Sequence, residues 1–179
     1  PVLAFQYTQG VPDLLGSDVD FSKWKFTVSD NINLKLRGLF RYRLGAGGFI
    51  RRNQVQLPDY THFNGNLSSL AAEYLNSFQL LPIYQFSNTE RFYALGHVEY
   101  NLRGFLTNKI PGFRKLNFYL VTSANAVRLS KDNFYYEASV GFDNILKQLR
   151  IDFVQSWLNG KPWQNGFKIG LSAFQRNDD

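Results

Sequence analysis

The sequence predicts an all-β fold: an antiparallel transmembrane β-barrel with about eight strands visible. Three observations predict it. In residues 23–36, KWKFTVSDNINLKL, Trp24, Phe26, Val28, Ile32, Leu34 and Leu36 occupy even positions and polar residues the odd ones, with Asp30 the single break. A period of two sets one face in an apolar medium and the other in a polar one. Second, the run outlasts the roughly 5–6 residues of an ordinary strand and exceeds the roughly 9–11 that cross a bilayer at a tilt. Third, aromatics reach 17% and charges only 19%, against roughly 25% charge in soluble domains.

No run of eighteen apolar residues occurs, which excludes a helical span. The slightly polar mean hydropathy of −0.28 fits a barrel, since only alternate residues meet lipid. A long strand in a soluble sheet is the alternative, because a sandwich core also excludes charge.

The length of 179 residues allows one barrel region spanning residues 1–179. Absence of cysteine excludes disulfides and thiolate metal sites. Absence of methionine, with a strand starting directly after Pro1, predicts further residues upstream. The net charge of +6 is scattered along alternating runs without clustering in a helix or tail. That distribution points to lumen lining and anionic lipid headgroups, and no nucleic-acid motif accompanies it.

In chain order, residues 2–9 form a first strand and the Gly/Pro/Asp-rich residues 10–22 a loop. After residues 23–36 a tight connection leads to residues 39–50, where Phe40, Tyr42 and Leu44 oppose Arg41 and Arg43. Residues 51–90 lose the alternation and make a long outer loop, with 78–86 as a short strand or an ordered limb. Alternation returns at 91–104, with Tyr100 and Leu102 opposite Glu99 and Arg103. It continues at 116–129, carrying Phe118 and Leu120, and at 134–145, with Val140 and Phe142 opposite Glu137 and Asp143. Residues 149–157 set Ile151 and Phe153 against Arg150 and Asp152; after a loop at 158–165, residues 167–174 set Ile169 and Leu171 against Lys168.

Phase therefore assigns Trp24, Phe26, Val28, Ile32, Leu34, Tyr100, Leu102, Phe118, Leu120, Val140, Phe142, Ile151, Phe153, Ile169 and Leu171 to lipid. It assigns Lys25, Lys35, Arg37, Arg41, Arg43, Glu99, Arg103, Glu137, Asp143, Arg150, Asp152 and Lys168 to the lumen. A cation at the lipid midplane costs roughly 2–4 kcal/mol, which accounts for the segregation. Alternate connections are short on one end and long on the other, as in outer-membrane barrels with short periplasmic turns, and aromatics near strand ends suit interfacial girdles.

The long loop carries Tyr60, Phe63, Tyr74, Phe78, Tyr84 and Phe86. Leaving that surface in water is unfavourable by roughly 25 cal/mol per Å2. It is expected to fold back into the barrel mouth or pack on a partner, with His62, Phe63, Asn64, Gly65 and Asn66 near its inner tip and Arg41 and Arg43 as contacts for its carbonyls or for Asp59.

Residues 59–174, through DYTHFNGN, LLPIYQFS, ALGHVEYNLRGFLTNKIPGFRKL, YYEASVGFDNILKQLRIDF and FKIGLSAF, resemble the C-terminal barrel of a Bacteroidota outer-membrane family. That family joins a carboxypeptidase-regulatory-like domain to a barrel of otherwise unassigned function. More remotely they resemble the last strands of the BamA/TamA outer-membrane assembly superfamily. The resemblance implies the C-terminal part of a barrel of about sixteen strands in the bacterial outer membrane. It also implies a role in outer-membrane protein assembly or export. In that superfamily a loop folded into the lumen carries Arg-Gly-Phe/Tyr; this chain has Phe63-Asn64-Gly65-Asn66 there and Arg103-Gly104-Phe105 at a strand end.

Other uses remain open: a structural or partner-binding subunit of a larger complex of envelope proteins, or a small-solute channel. Arg41, Arg43, Arg103 and Arg150 would favour anions in a channel, or would pair with Glu99, Glu137, Asp143 and Asp152 in a structural network. His97, Ser123 and Asn125 have the residue types of an outer-membrane phospholipase but share the polar face, where such residues are ordinary lining. His62 stands without a second ligand at metal spacing, and no phosphate-binding glycine loop occurs. No enzyme activity and no cofactor are expected.

Overall fold

The computed structural model describes residues 1–12, 18–88, 90–130 and 133–171. They form one eight-stranded sheet in strict sequence order, each strand antiparallel to the next. The strands are β1 (Val2–Gly10), β2 (Asp20–Asn33), β3 (Leu39–Gln54), β4 (Tyr93–Asn101), β5 (Tyr119–Ser130), β6 (Asn133–Ile145), β7 (Leu149–Leu158) and β8 (Lys161–Leu171). The sheet is open: β1 and β8 are its edges.

Register holds the alternation in phase along the strands, with irregularities between Asp20 and Lys23, Arg128 and Ser130, Phe142 and Ile145, and Gln155 and Trp157. On one face Leu3 pairs with Val28, Val28 with Leu44, Phe40 with Tyr100, Val140 with Phe153 and Phe153 with Phe167. On the other, Arg41 pairs with Glu99, Asn125 with Glu137 and Asp152 with Lys168. On β2, β3, β4, β6, β7 and β8 a one-residue slip would carry charge onto the apolar face, so there the pattern itself specifies the pairing.

Strand ends differ from expectation where the backbone takes positive φ. Lys35 (φ 55°) and Gly38 (φ 113°) close a 3-10 turn over Lys35–Arg37. β2 consequently stops at Asn33, and Leu34, Lys35, Leu36 and Arg37 belong to the turn, not to a strand. Leu102 and Arg103 (φ 47°) likewise follow the end of β4, and Phe118 precedes β5. The predicted connection before β5 contains a 3-10 turn at Thr107–Lys109 and one helix, α1 (Pro111–Leu116), with Pro111 at its first position, where a missing N–H costs nothing.

The loop expected at 158–165 is instead a tight turn. Asn159 (φ 52°) and Gly160 (φ 79°) give the paired positive φ of a two-residue hairpin, and β8 starts at Lys161. The predicted strand end at 172–174 lies outside the described residues. No strand forms at 78–86; that stretch is turns, tied back by a Thr61–Asn88 bridge.

Residues 55–92 lie across the polar face. Phe63, Phe78, Leu81 and Phe86 from this segment join Tyr93, Val127 and Tyr135 from the sheet in the hydrophobic core, with Trp163 packed against it. The core thus lies between the sheet and its own longest connection.

Candidate functional site

Burial in this sheet runs opposite to that of a water-soluble sheet. On β5 to β8 the polar face is covered: Ser123, Asn125, Glu137, Ser139, Arg150, Asp152, Ser156 and Lys168 are all buried. The apolar face is bare, with Phe5 69%, Phe26 39%, Ile32 40%, Val140 48% and Ile169 45% exposed. Ile151, Phe153 and Leu171 are also exposed, while Trp24, Val28, Tyr100, Leu120 and Phe142 are partly so. Aromatics gather on this outer face near the long-connection end, where Tyr136 and Trp157 stack at 5.0 Å.

The covered face carries two polar clusters. In the first, Glu99 accepts from Arg41 and, at 2.6 Å, from Arg150. Arg150 also donates Nε and Nη2 to Asp152 at 2.7 and 3.0 Å. Arg150 is 1% exposed and Asp152 fully buried. Charges so deeply buried are tolerable only when paired in this way.

In the second cluster Glu137 receives four donors: the Gln79 and Leu80 amides at 2.6 and 3.0 Å, Asn125 Nδ2 at 2.8 Å and the Tyr135 hydroxyl at 2.6 Å. His97 Nδ1 lies 3.0 Å from Asn125 Oδ1, and the Phe78 ring covers His97 at 4.8 Å.

Side chains from five strands hold the segment that covers the polar face. Lys23 donates to the Asp59 carbonyl at 2.7 Å, Arg43 to Asn76 Oδ1 at 2.7 Å and Lys168 to the Ser68 carbonyl at 2.6 Å. Glu137 holds Gln79–Leu80 as above, and Tyr74 lies 4.0 Å over the Arg150 guanidinium. Burial, aided by the Asp152 charge, raises the Tyr74 phenol above its ordinary range.

Of the two arginines expected to meet the segment's carbonyls or Asp59, Arg43 reaches the segment at Asn76 Oδ1 and Arg41 pairs with Glu99, while Lys23 donates to the Asp59 carbonyl. Lys25 on β2 is exposed, Asp143 is half-buried within reach of Asn101 Nδ2 at 3.4 Å, and Lys35, Arg37 and Arg103 sit on exposed turns.

Residues 62–66, expected as the inner tip, are irregular, and Phe63 alone among them is buried; Tyr74, Phe78, Gln79 and Leu81 of the segment are buried more deeply. Phe63 packs edge-on to Tyr93 at 5.2 Å, Asn64 Nδ2 donates to the Asn76 carbonyl and Asn66 Nδ2 to that of Leu70. A Cβ on Gly65 would stand 2.2 Å from the Leu81 carbonyl oxygen, so only glycine permits this approach. His62 is held inside the segment by Ser87 Oγ at 2.8 Å and the Leu57 carbonyl at 3.0 Å.

Chemistry of the phospholipase type is not assembled. Ser123 Oγ meets Ser139 Oγ at 2.6 Å and His97 meets Asn125, beneath the segment. Among the described residues no group of three His, Asp or Glu has metal-holding geometry. Sequence reading missed Lys23, Gln79, Leu80 and Tyr135, and it named Tyr74 as a loop aromatic expected to fold inward without its place over Arg150. Parity with Lys25 would have exposed Lys23, whereas backbone amides leave no sequence signal.

The model of a family of unknown function, DUF5686, C-terminal domain, matches residues 1–142, from β1 into β6. No curated protein and no solved structure matches.

Proposed function

The chain belongs to the family of unknown function DUF5686, as its C-terminal domain, and on that premise we propose that it is the wall of an integral outer-membrane β-barrel whose interior is filled by residues 55–92. The observation carrying this reading is the inverted burial: bare Phe5, Val140 and Ile169 outside, paired Arg150, Asp152 and Glu137 inside. In water that arrangement wastes apolar surface at roughly 25 cal/mol per Å2; in lipid it is the low-energy one. Among the described residues no helix is long and apolar enough to cross a membrane, so any crossing is by strands.

Two open edges, β1 and β8, are untenable in lipid, where every backbone group needs a partner. Further strands close the barrel, in keeping with the resemblance to barrels of about sixteen. The same resemblance supports a role in outer-membrane protein assembly or export. Passive solute transport fits less well, because the arginines that would line a path are paired or engaged by the segment.

The test uses tryptophan quenching by brominated lipids in the reconstituted full-length protein, with single-tryptophan variants. Trp24 and Trp157 on the outer face are expected to be quenched, and Trp163, packed in the core, to be spared. Equal quenching of all three, or none, defeats the reading.

A further inference from the structure

The meander brings three connections to one end of the sheet: residues 34–38, 102–118 and 146–148. Together they hold seven cationic side chains, Lys35, Arg37, Arg103, Lys109, Arg114, Lys115 and Lys147, and no Asp or Glu. All seven are exposed. Among the described residues, the connections at the other end carry four carboxylates, Asp18, Asp59, Glu73 and Glu90, and one cation, Arg91. The sheet is thus polarised along its strands, a feature that the overall net charge conceals.

Apolar side chains stud the same rim. Leu36 is 88% and Leu146 81% exposed, with Phe105, Leu106, Ile110 and Leu116 also exposed. They prolong the apolar outer face beyond the strand ends, next to Leu34 and Leu102. Lys109 Nζ lies 4.7 Å over the Phe105 ring, an apolar stem and ring below a charged head. Such a rim matches a membrane interface, where apolar groups enter the acyl boundary and cations meet phosphates.

We propose that this rim is a docking collar for anionic phospholipid headgroups of the leaflet it faces. The proposal rests on the barrel reading. Net charge selects an anionic partner, and leucines continuous with the lipid-facing surface select a lipid over an acidic protein. In outer-membrane barrels the longest connections face outward; the longest here, residues 55–92, leaves the opposite end of the sheet, so the rim faces the periplasm and its leaflet is the phospholipid one and not the one that holds lipid A.

The experiment purifies the full-length native protein from micelles containing equal phosphatidylglycerol and phosphatidylcholine, and quantifies co-eluting lipid by mass spectrometry. Phosphatidylglycerol is expected to be retained several-fold over phosphatidylcholine, and 0.5 M salt to erase most of the preference, the screening length then being on the order of 4 Å. K109Q/R114Q/K115Q/K147Q should lose the preference, R114Q/K115Q part of it, and R91Q/K161Q at the opposite end none.

Equal retention of both lipids overturns the proposal. So does a preference that survives in the quadruple variant, tighter retention of lipid A than of phosphatidylglycerol, or capture of an acidic protein in place of lipid. Quenching of Trp24 and Trp157 in the same samples separates the two readings. Insertion without lipid preference defeats the collar alone; failure to insert defeats the barrel and the collar with it.

Discussion

The ring of Tyr74 lies 4.0 Å over the guanidinium of Arg150, so the long connection caps the most deeply buried cation of the sheet. Arg150 in turn bridges Glu99 and Asp152. A desolvated cation–π contact contributes about 2 kcal/mol, and truncating a buried aromatic costs about 3–5 kcal/mol. Tyr74→Ala should therefore loosen the segment, speeding proteolysis within residues 66–80 at least tenfold while the strands stay intact. Tyr74→Phe retains the ring and should stay close to the parent rate.

Alkaline pH should release the same contact. A released Tyr74 ionises near the ordinary value of about 10, whereas the packed phenol stays protonated to higher pH. Above pH 10 the packed state then binds more protons than the released one. Packing is at full strength below pH 10 and weakens as pH rises, by up to about 1.4 kcal/mol per unit from this group. Segment amide exchange, corrected for its intrinsic pH dependence, should show an added opening between pH 10 and 11.5 that Tyr74→Phe lacks. Identical profiles for the two proteins would refute it.

Glu137 is the other fastening. Its carboxylate takes four donors, two of them consecutive backbone amides of the segment. Glu137→Gln keeps the shape but replaces one acceptor oxygen by a donor, leaving at least one buried N–H or O–H unpaired at a cost of about 2–4 kcal/mol. Hydrogen exchange at Gln79 and Leu80 is expected to quicken 30-fold or more, with β5 and β6 amides unchanged. Unaltered exchange at those two amides would sink the claim.

What was legible beforehand follows from which interactions leave a periodic trace. The alternation of Phe26, Val28, Ile32 against Lys25, Thr27, Asn31 is a solvent boundary written into sequence, and the register reproduces it over all eight strands. Aromatic excess at residues 60–86 likewise announced burial of the long connection. Strand ends were less legible because single residues decide them: Lys35 accepts positive φ without belonging to a turn-forming type. Asn159-Gly160 did carry a hairpin signature, masked by Pro162 and Trp163 beside it. The fastening of the segment was illegible where the partners are backbone groups, as at Gln79, Leu80, Ser68 and Asp59.

The tip offers a steric test. Gly65 approaches the Leu81 carbonyl so closely that a Cβ would sit 2.2 Å from its oxygen. Gly65→Ala forces the tip or the 81–82 strip to move, and overpacking of this kind costs about 1–3 kcal/mol. The segment should become protease-sensitive while the strands retain heat-modifiable migration on gels. Gly112→Ala, where a Cβ meets nothing within 4 Å, should have no effect on segment protection.

The last prediction concerns conduction. The segment covers the polar face from β4 to β8 and is tied to β2 and β3 through Lys23 and Arg43. A cleft of about 390 Å3 remains beside it, lined by Ser29, Asn31, Arg43 and Glu73 among others. With the segment seated, the full-length protein in a planar bilayer should show no steady open level. Replacing residues 60–87 by a short Gly/Ser linker uncovers Lys23, Arg41, Arg43, Arg150 and Lys168 against Glu99, Glu137 and Asp152. Cations then outnumber carboxylates on the uncovered wall, and fixed charge of one sign favours passage of the other. Discrete openings with modest anion preference are expected from the shortened protein. Steady conductance in the parent at the same level would show that residues 55–92 do not close the path.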